Sequence, residues 1–274
     1  MAAPGARDAD HGCLELQRLL VFREAFRALR YSVSQFPLKT DIDRRVLLAA
    51  MLSAVIHPSL SIAPSYYITA HTAGTGKTYL AQGICSLQTG THVASSPFPK
   101  DEEERRKHLF ASLRQGSSCL LYDNTERGAE IDSAVIANLV TSPVIDWRVL
   151  GASAVERKPN RMTMVLTGNN LRLRGDLNRR ILPITLDAGV ERPWEREFSF
   201  HPGNHILANW LSVRIAALEL YQAWRVHGAP RAQGATGFPE WDAIGLRVPP
   251  PEIGATVPRV SGPGTEGASR VRPR

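Results

Sequence analysis

The octapeptide His71-Thr72-Ala73-Gly74-Thr75-Gly76-Lys77-Thr78 is the stretch that decides the fold of this 274-residue chain. It matches the phosphate-binding loop pattern G-x-x-x-x-G-K-[ST] at every fixed position except the first, where His71 replaces glycine. Small residues at this spacing let backbone N–H groups turn toward phosphate oxygens. Lys77 is then placed to reach the β- and γ-phosphates, and the Thr78 hydroxyl to ligate Mg²⁺. The alternative is a glycine-rich turn with a solvated lysine, and His71 favours that alternative.

The sequence on either side of this loop has the context that the motif requires. Residues 66–70 (Tyr-Tyr-Ile-Thr-Ala) predict a β-strand, and residues 77–86 predict a helix. A strand–loop–helix arrangement separates a genuine phosphate loop from a chance match. The sequence therefore predicts that the chain binds a nucleotide.

The composition narrows the class of protein. The chain is 43% hydrophobic, which is enough for a sizeable core, and no apolar run approaches the length that spans a bilayer. Residues 1–12 lack the apolar core of a secretory signal. Cys13, Cys85 and Cys119 are too widely spaced for a disulfide framework or a zinc site. We therefore expect a cytoplasmic location and no membrane partner.

The formal charge of +7 indicates a polyanionic partner such as nucleic acid. Part of this excess comes from arginines near the C-terminus, which are equally consistent with a solvated tail. The charge alone leaves both interpretations open.

Hydrophobic periodicity, together with the positions of Pro and Gly, divides the chain into five parts. We expect a disordered N-terminus (1–12), a helical lead-in (13–60), a nucleotide-binding core (61–200), a C-terminal helix (201–228) and a disordered tail (229–274).

Strands and helices alternate in the nucleotide-binding core, which two helices precede and one helix follows. The predicted strands cover 66–70, 91–94, 118–122, 162–166 and 181–186, and the predicted helices cover 14–31, 41 or 43 to 55, 77–86, 101–115, 131–140 and 203–226. Such alternation predicts a mostly parallel sheet with helices on both faces and ligands at the carboxyl ends of the strands.

The apolar strand before Tyr122 ends in Asp123, 46 residues after Lys77 (123 − 77). An aspartate at the end of a strand beside the phosphate-loop strand can hold Mg²⁺ through water. The alternative is an aspartate that caps the next helix. Asn124 follows, where many related ATPases place a water-activating glutamate, and Glu126 and Glu130 lie close enough to take that role.

The predicted strand at 162–166 is followed by Thr167, Asn169 and Asn170. Neutral polar residues at this place can lie between Asp123, the candidate Mg²⁺ ligand, and the γ-phosphate, and can orient water there. The alternative is a simple turn, because Gly-Asn-Asn is a common turn sequence.

Two groups of basic residues are candidates for contacts with other molecules. Arg179 and Arg180 stand just before a strand, and a planar, always charged guanidinium suits a finger that completes a neighbouring subunit's site. Arg157, Lys158 and Arg161 precede the polar strand end and are candidates for contact with a DNA backbone. Ordinary solvated charge is the alternative for both groups.

These motifs in this order resemble the ATPase region of phage and integrative-element primase-helicases, which are AAA+ or superfamily 3-like proteins of mobile elements. The likeness covers roughly residues 40–228. The segments that carry it are the phosphate loop, Leu120–Asn124, Arg148–Gly151, Thr167–Asn170, Gly175–Arg180, Leu186–Asp187, Glu191–Pro193 and Arg196–Phe198.

The resemblance implies an α/β, AAA+-like P-loop NTPase fold in which residues 61–200 form an ATPase core. It implies ATP hydrolysis with Mg²⁺, assembly of identical subunits into a ring such as a hexamer, and unwinding of or translocation on DNA, with single-stranded DNA the expected form, during replication of the element. A separate primase is an expected partner.

The resemblance also assigns roles to the residues quoted above. Lys77 and Thr78 would hold the phosphates and Mg²⁺, and Asp123, followed by Asn124, would be the second metal-side acid. The remaining roles fall on pairs of candidates, namely Asn169 or Asn170 as the polar sensor and Arg179 or Arg180 as the finger.

The chain departs from the family at three places. His71 replaces the first glycine of the loop, and no primase domain precedes residue 40. Phe238–Trp241 begins in the family's style before the sequence turns to Pro and Arg, so we expect a truncated or frameshifted ending.

One alternative function is therefore a nucleotide-dependent DNA-binding or assembly module whose hydrolysis was lost by truncation. Another is a small-molecule phosphotransferase, although the paired arginines favour the other two functions.

Overall fold

The computed structural model describes residues 20–149 and 154–226. The disorder predicted for residues 1–12 and 229–274 concerns segments outside these ranges. No helix in the described ranges is both long and apolar enough to cross a membrane.

Nine strands and seven helices are distinguished in these ranges. The strands are β1 (Ser65–Ala70), β2 (Ser95–Ser96), β3 (Cys119–Thr125), β4 (Glu130–Ile131), β5 (Val144–Arg148), β6 (Val155–Pro159), β7 (Thr163–Asn169), β8 (Arg172–Leu173) and β9 (Ile181–Leu186). The helices are α1 (described over 20–32), α2 (Asp41–Ile56), α3 (Lys77–Thr89), α4 (Glu102–Arg114), α5 (Ala134–Leu139), α6 (Pro202–Ala208) and α7 (Trp210–Val226). Single 3₁₀ turns lie at His57–Ser59, Gly175–Arg179 and Pro193–Glu195.

Five strands form one central sheet in the order β2-β3-β7-β1-β9. Every neighbouring pair in this sheet is parallel. The strand β1 therefore lies between β7 and β9, and its carboxyl end leads directly into the octapeptide. The α/β fold class with a parallel, P-loop-like sheet is confirmed.

Helices cover both faces of this sheet, and each face has its own hydrophobic core. Because successive strand residues point to opposite faces, Leu121 and Val165 belong to the core formed with α1, α2, α3, α6 and α7. Their neighbours Leu120 and Met164 belong to the core formed with α4, α5 and Trp147 of β5.

The helical layer ahead of β1 is fixed to the sheet by a helix cap. Thr40 caps α2: its hydroxyl accepts from the Asp43 N–H at 3.2 Å, and the Asp43 carboxylate accepts from the Thr40 N–H at 2.9 Å. The same carboxylate accepts from the Thr185 N–H of β9 at 2.7 Å. The sequence predicted a helix that starts behind Asp41 or Asp43, whereas the helix begins at Asp41 and its capping residue is Thr40.

Residues 37–39 run antiparallel to the last residues of β9. Three contacts join the two segments: a bridge between Leu38 and Leu186, a hydrogen bond from the Lys39 N–H to the Thr185 carbonyl at 3.0 Å, and one from the Asp187 N–H to the Pro37 carbonyl at 2.8 Å.

The strand predicted at 91–94 is wrong, because the strand in this region is β2 at 95–96. The Gln82 side chain of α3 occupies both backbone groups of Val93: its Nε2 donates to the Val93 carbonyl at 2.7 Å, and its Oε1 accepts from the Val93 N–H at 3.2 Å. The backbone there pairs with a helix side chain instead of a neighbouring strand.

Two predicted helices also differ from the structure. The helix predicted at 131–140 begins only at Ala134, because the Ser133 hydroxyl accepts from the Ile136 N–H at 3.2 Å and caps the helix there. The long helix predicted at 203–226 is divided into α6 and α7 at Asn209. The Asn209 amide donates to the His205 carbonyl at 2.9 Å, so the side chain competes with the backbone for that acceptor.

Candidate nucleotide-binding site

The octapeptide connects β1 to α3 at the carboxyl edge of the sheet. Gly74 and Gly76 have φ values of 74° and 94°, in the left-handed region that glycine adopts at low cost. Gly76 precedes the first residue of α3 and provides no side-chain cap. The first N–H groups of a helix have no partner within it, and the helix dipole adds partial positive charge. This arrangement suits an anion such as a phosphate group.

The Lys77 ammonium lies over the loop. Its Nζ donates to the Thr72 carbonyl at 3.3 Å and to the Thr75 hydroxyl at 3.5 Å. Burial lowers the pKa of Lys77, and the negative charge of Asp123 opposes that shift. A phosphate bound in the loop would offer this half-buried cation a charged partner in place of two long, neutral hydrogen bonds.

A β-bulge positions Asp123. Tyr122 pairs with Leu166 and Thr125 pairs with Gly168, so β3 holds one more residue than β7 between the two pairs. Asn124, inside the bulge, has φ 55°, a conformation that asparagine tolerates better than most residues. A bulge re-aims side chains at the end of a strand.

The re-aimed Asp123 carboxylate lies between two hydroxyl groups. The Thr78 hydroxyl donates to its two oxygens at 2.9 and 3.1 Å. The Thr167 hydroxyl donates to the same carboxylate at 2.5 Å and accepts from the Asn124 N–H at 3.0 Å. Side chains from α3, β3 and β7 thus meet at one point on the carboxyl edge of the sheet.

Thr78 and Asp123 fit the requirements of a magnesium site. Mg²⁺ prefers oxygen ligands and is usually bound through one or two carboxylates together with substrate phosphates and water. Over the ranges that the structure describes, no group of three or more His, Cys, Asp and Glu side chains could hold a metal ion. The single carboxylate beside a hydroxyl and a phosphate loop corresponds to the magnesium pattern.

His71 connects the phosphate loop to the end of β7. Its Nδ1 and the Asn170 Oδ1 are 2.8 Å apart, and the Asn170 N–H donates to the Ala70 carbonyl at 3.1 Å. The described non-glycine residues with positive φ are Asn124 and Asn170, so His71 is not among them. The backbone at His71 therefore accommodates a side chain, and glycine is not required there.

Asn169 has an unsatisfied acceptor. Its carbonyl accepts from the Gly128 N–H at 2.8 Å, but its side-chain Oδ1 is buried without a hydrogen-bond partner among the described residues. Buried polar groups are normally paired, and an exception calls for an explanation such as a ligand or water. This acceptor lies on β7 two residues after Thr167.

The two acids considered for water activation, Glu126 and Glu130, are both exposed. Glu130 forms a salt bridge with Arg174. Glu126 is exposed just after β3. The Asn124 N–H donates to the Thr167 hydroxyl, and the residue is exposed.

Arg179 and Arg180 lie at the amino ends of the parallel strands, whereas the phosphate loop lies at their carboxyl ends. The Arg180 carbonyl accepts from the N–H of Ser65, the first residue of β1, at 3.3 Å. A six-residue strand therefore separates them from the loop, a distance of about 17 Å. Both guanidinium groups donate to Asp176, and these hydrogen bonds, from Arg179 and then Arg180, lower the pKa of the Asp176 carboxyl.

The basic candidates near β6 also have partners within the chain. Arg157 forms a two-point hydrogen bond with Asp146, at 2.7 Å to each oxygen, which lowers the pKa of that carboxyl. Lys158 donates to the Arg114 carbonyl at 3.1 Å, and Arg161 donates to the Leu60 carbonyl. Arg157 and Lys158 lie on the β5–β6 hairpin, which the sequence did not predict as paired strands.

The sequence underrated two parts of the site. Thr167 was one of three polar residues after an apolar strand, and only the structure places its hydroxyl at the centre of the contacts. Phe36 and Trp194 lie against the loop from distant parts of the chain, and no sequence pattern indicates that approach.

No family model and no curated protein matches the chain. Two solved structures that match over much of the chain are the apo C-terminal region of NrS-1 and a proposed ATPase from Cytophaga hutchinsonii. The NrS-1 region is 13% identical, with a TM-score of 0.44, over 72% of this chain and 45% of that chain. The Cytophaga protein is 12% identical, with a TM-score of 0.37, over 75% of this chain and 66% of that chain. The chain thus spans less than half of the NrS-1 region, and likeness at this level carries no argument about function.

Proposed function

We propose that the chain is a P-loop ATPase that works as an oligomeric ring on DNA. In this proposal, ATP hydrolysis with Mg²⁺ drives unwinding of or translocation on DNA during replication of a mobile element. The observation that carries it is the meeting of Lys77, Thr78, Asp123 and Thr167 at the carboxyl ends of three parallel strands. Nucleotides bind at this edge in open α/β sheets.

Each of these side chains has a task in the proposed reaction. Lys77 and the first N–H groups of α3 bind the β- and γ-phosphates. Thr78 and Asp123 hold Mg²⁺, which when bound neutralises the developing phosphate charge. Thr167 keeps Asp123 aimed at Thr78. The buried Asn169 amide oxygen, which has no hydrogen-bond partner among the described residues, would orient a water molecule near the γ-phosphate.

The position of the arginine pair supports a site shared between subunits. Arg179 and Arg180 are about one strand length from the loop of their own chain. If either contacts phosphate, the phosphate belongs to a neighbour. The side chain of Arg179 is 67% exposed and that of Arg180 only 21%, so Arg179 is the better finger.

The β5–β6 hairpin is the surface that we propose for DNA. It carries Arg157 and Lys158, and both keep part of their hydrogen-bonding capacity while paired within the chain. Backbone contacts by such residues follow phosphate charge and do not depend on base sequence.

A second candidate is a nucleotide-dependent DNA-binding or assembly module without hydrolysis. The observation in its favour is Asn124, which occupies the place of a water-activating acid, while Glu130 is paired with Arg174. Under this function the protein binds ATP and assembles, but it does not turn ATP over.

Steady-state ATPase assays over a range of protein concentrations, with and without single-stranded DNA, separate the two candidates. We expect a rate per subunit that rises with concentration and with DNA, and that falls at least a hundredfold in Lys77→Ala, because the lysine's charge stabilises the transferred phosphate. ATP binding without turnover in the wild-type protein would support the second candidate. A rate per subunit independent of concentration would contradict the shared site.

A further inference from the structure

Two segments from outside the central sheet meet beside the phosphate loop and enclose a pocket. One is Gln35–Phe36, between α1 and α2, and the other is residues 193–202, which follow β9 and end at the first residue of α6. The pocket has a volume of about 610 Å³, and Gly74 to Tyr79 form its third wall. This volume lies within the usual range for small-molecule sites, about 300–1,000 Å³.

Aromatic rings back both loop glycines. A Cβ added at Gly74 would lie 3.1 Å from Cε3 of Trp194, and one added at Gly76 would lie 3.4 Å from Cε1 of Phe36. Phe36 is buried, whereas Trp194 is 62% exposed. An indole packed on the phosphate loop therefore presents much of its surface to the pocket and to solvent.

The rest of the pocket wall is largely uncharged. Lys77, on the loop itself, is the single Lys, Arg, Asp or Glu among the residues that line the pocket. The polar side chains opposite the loop have partners already: His201 Nδ1 accepts from the Asn204 N–H at 3.3 Å, and the Gln35 amide oxygen accepts from the Ser199 N–H at 3.4 Å. A flat, neutral ring suits these walls better than a second anion does.

We infer that this pocket binds the nucleobase of the nucleotide, stacked on the Trp194 indole. The inference rests on the proposed function, because the phosphate loop must hold the phosphates of the same molecule. Every base has a π-face, so stacking tolerates different bases. Because Gln35 and His201 are the polar side chains opposite the loop, the pocket discriminates weakly between adenine and guanine.

The test compares ATP, GTP and inorganic tripolyphosphate, each with Mg²⁺, by calorimetric titration of the full chain. Tripolyphosphate carries the phosphates without a base. We expect the wild-type protein to bind ATP at least tenfold more tightly than tripolyphosphate, and GTP within tenfold of ATP. In Trp194→Ala, ATP binding should weaken about tenfold, which is about 1.4 kcal/mol, while tripolyphosphate binding stays within twofold.

Trp194→Phe is the matched control, since it keeps an aromatic face on Gly74 and should retain most of the ATP affinity. Equal binding of ATP and tripolyphosphate by the wild-type protein would overturn the base site and leave the phosphate loop standing. Equal weakening of both ligands in Trp194→Ala would also overturn it, because the indole would then only support the loop. Binding of neither ligand to the wild-type protein would overturn the proposed function itself.

Discussion

At the scale of single residues, the Thr167 hydroxyl joins the Asp123 carboxylate to the backbone of Asn124. It donates to the Asp123 carboxylate and accepts from the Asn124 N–H, and the residue is 1% exposed. Its removal would leave the part-buried Asn124 N–H without this acceptor and the Asp123 carboxylate without one donor. Leaving a buried polar group unpaired costs about 1–3 kcal/mol.

Thr167→Val removes this hydroxyl at nearly constant volume. We expect the variant to lose about 1–3 kcal/mol of unfolding free energy in urea, and its affinity for ATP with Mg²⁺ to fall more than its affinity for ATP in EDTA. The larger effect with Mg²⁺ follows because Asp123 is no longer held toward Thr78.

Thr167→Ser, which keeps the hydroxyl, is the control for this prediction and should retain the Mg²⁺-dependent part of the affinity. Indistinguishable behaviour of the valine and serine variants would show that the hydroxyl has no positioning role.

At the scale of elements, a buried histidine joins the 3₁₀ turn after α2 to the start of β7. His57 Nδ1 and the Thr163 hydroxyl are 2.7 Å apart. Burial, and then the positive charge of Arg161, lowers the pKa of His57 from 6.5 to about 4. The folded protein therefore holds this imidazole neutral at a pH where the unfolded chain protonates it.

The sign of the resulting pH dependence follows from proton binding. Between pH 6.5 and 4 the unfolded state binds more protons at His57, so unfolding becomes easier as the pH falls through this window. Acidification from pH 7 to 4.5 should lower the unfolding free energy by about 2–3 kcal/mol through this residue.

Urea unfolding of the wild-type protein and His57→Gln at both pH values isolates this contribution. Glutamine keeps a polar partner for Thr163 but does not titrate, so its loss on acidification should be smaller by that amount. Parallel pH dependence of the two proteins would refute the assignment.

Most of the elements in the sheet could be predicted from the sequence, because apolar strands and capped helices have local signals. β9 has its predicted bounds, and α4 begins behind Asp101, whose carboxylate accepts from the Glu104 N–H. The predictions that were wrong fail where a polar side chain forms hydrogen bonds with backbone groups that a strand or helix would otherwise use. The Gln82 bonds to Val93 displaced a predicted strand, and the Asn209 bond to His205 divided a predicted helix.

The candidate site divides in the same way. The octapeptide and Asp123 could be predicted because spacing and strand ends are properties of the sequence. The bulge at Asn124, the bond between His71 and Asn170, and the approach of Trp194 to Gly74 depend on how distant segments pack. No local pattern contains that information.

At the scale of the whole molecule, the phosphate loop lies at the carboxyl ends of the parallel strands and the arginine pair at their amino ends. In a ring of identical subunits, each site would take Lys77 from one chain and Arg179 from the next. Mixing Lys77→Ala with Arg179→Ala, each inactive alone, should then restore ATPase activity. Random assembly at equal amounts gives about a quarter of the sites both intact parts.

A mixture of Lys77→Ala with Asp123→Ala is the matched control. Both of these lesions fall in the site of their own chain, so no mixed ring holds a complete site and no activity should return. Activity in Arg179→Ala alone, or no recovery in mixtures shown by size to co-assemble, would contradict the shared site.

The segment at 37–39 has a consequence for how subunits can meet. A parallel sheet with free edges invites a second chain to continue it by backbone pairing. Here the β9 edge is partly covered by Leu38 and its neighbours, and the other edge strand, β2, is only two residues long. Among the described residues, each edge therefore offers only a short stretch for sheet extension. An assembly of this chain is therefore expected to form through side-chain surfaces, which leaves subunits free to rotate against each other without breaking a shared sheet.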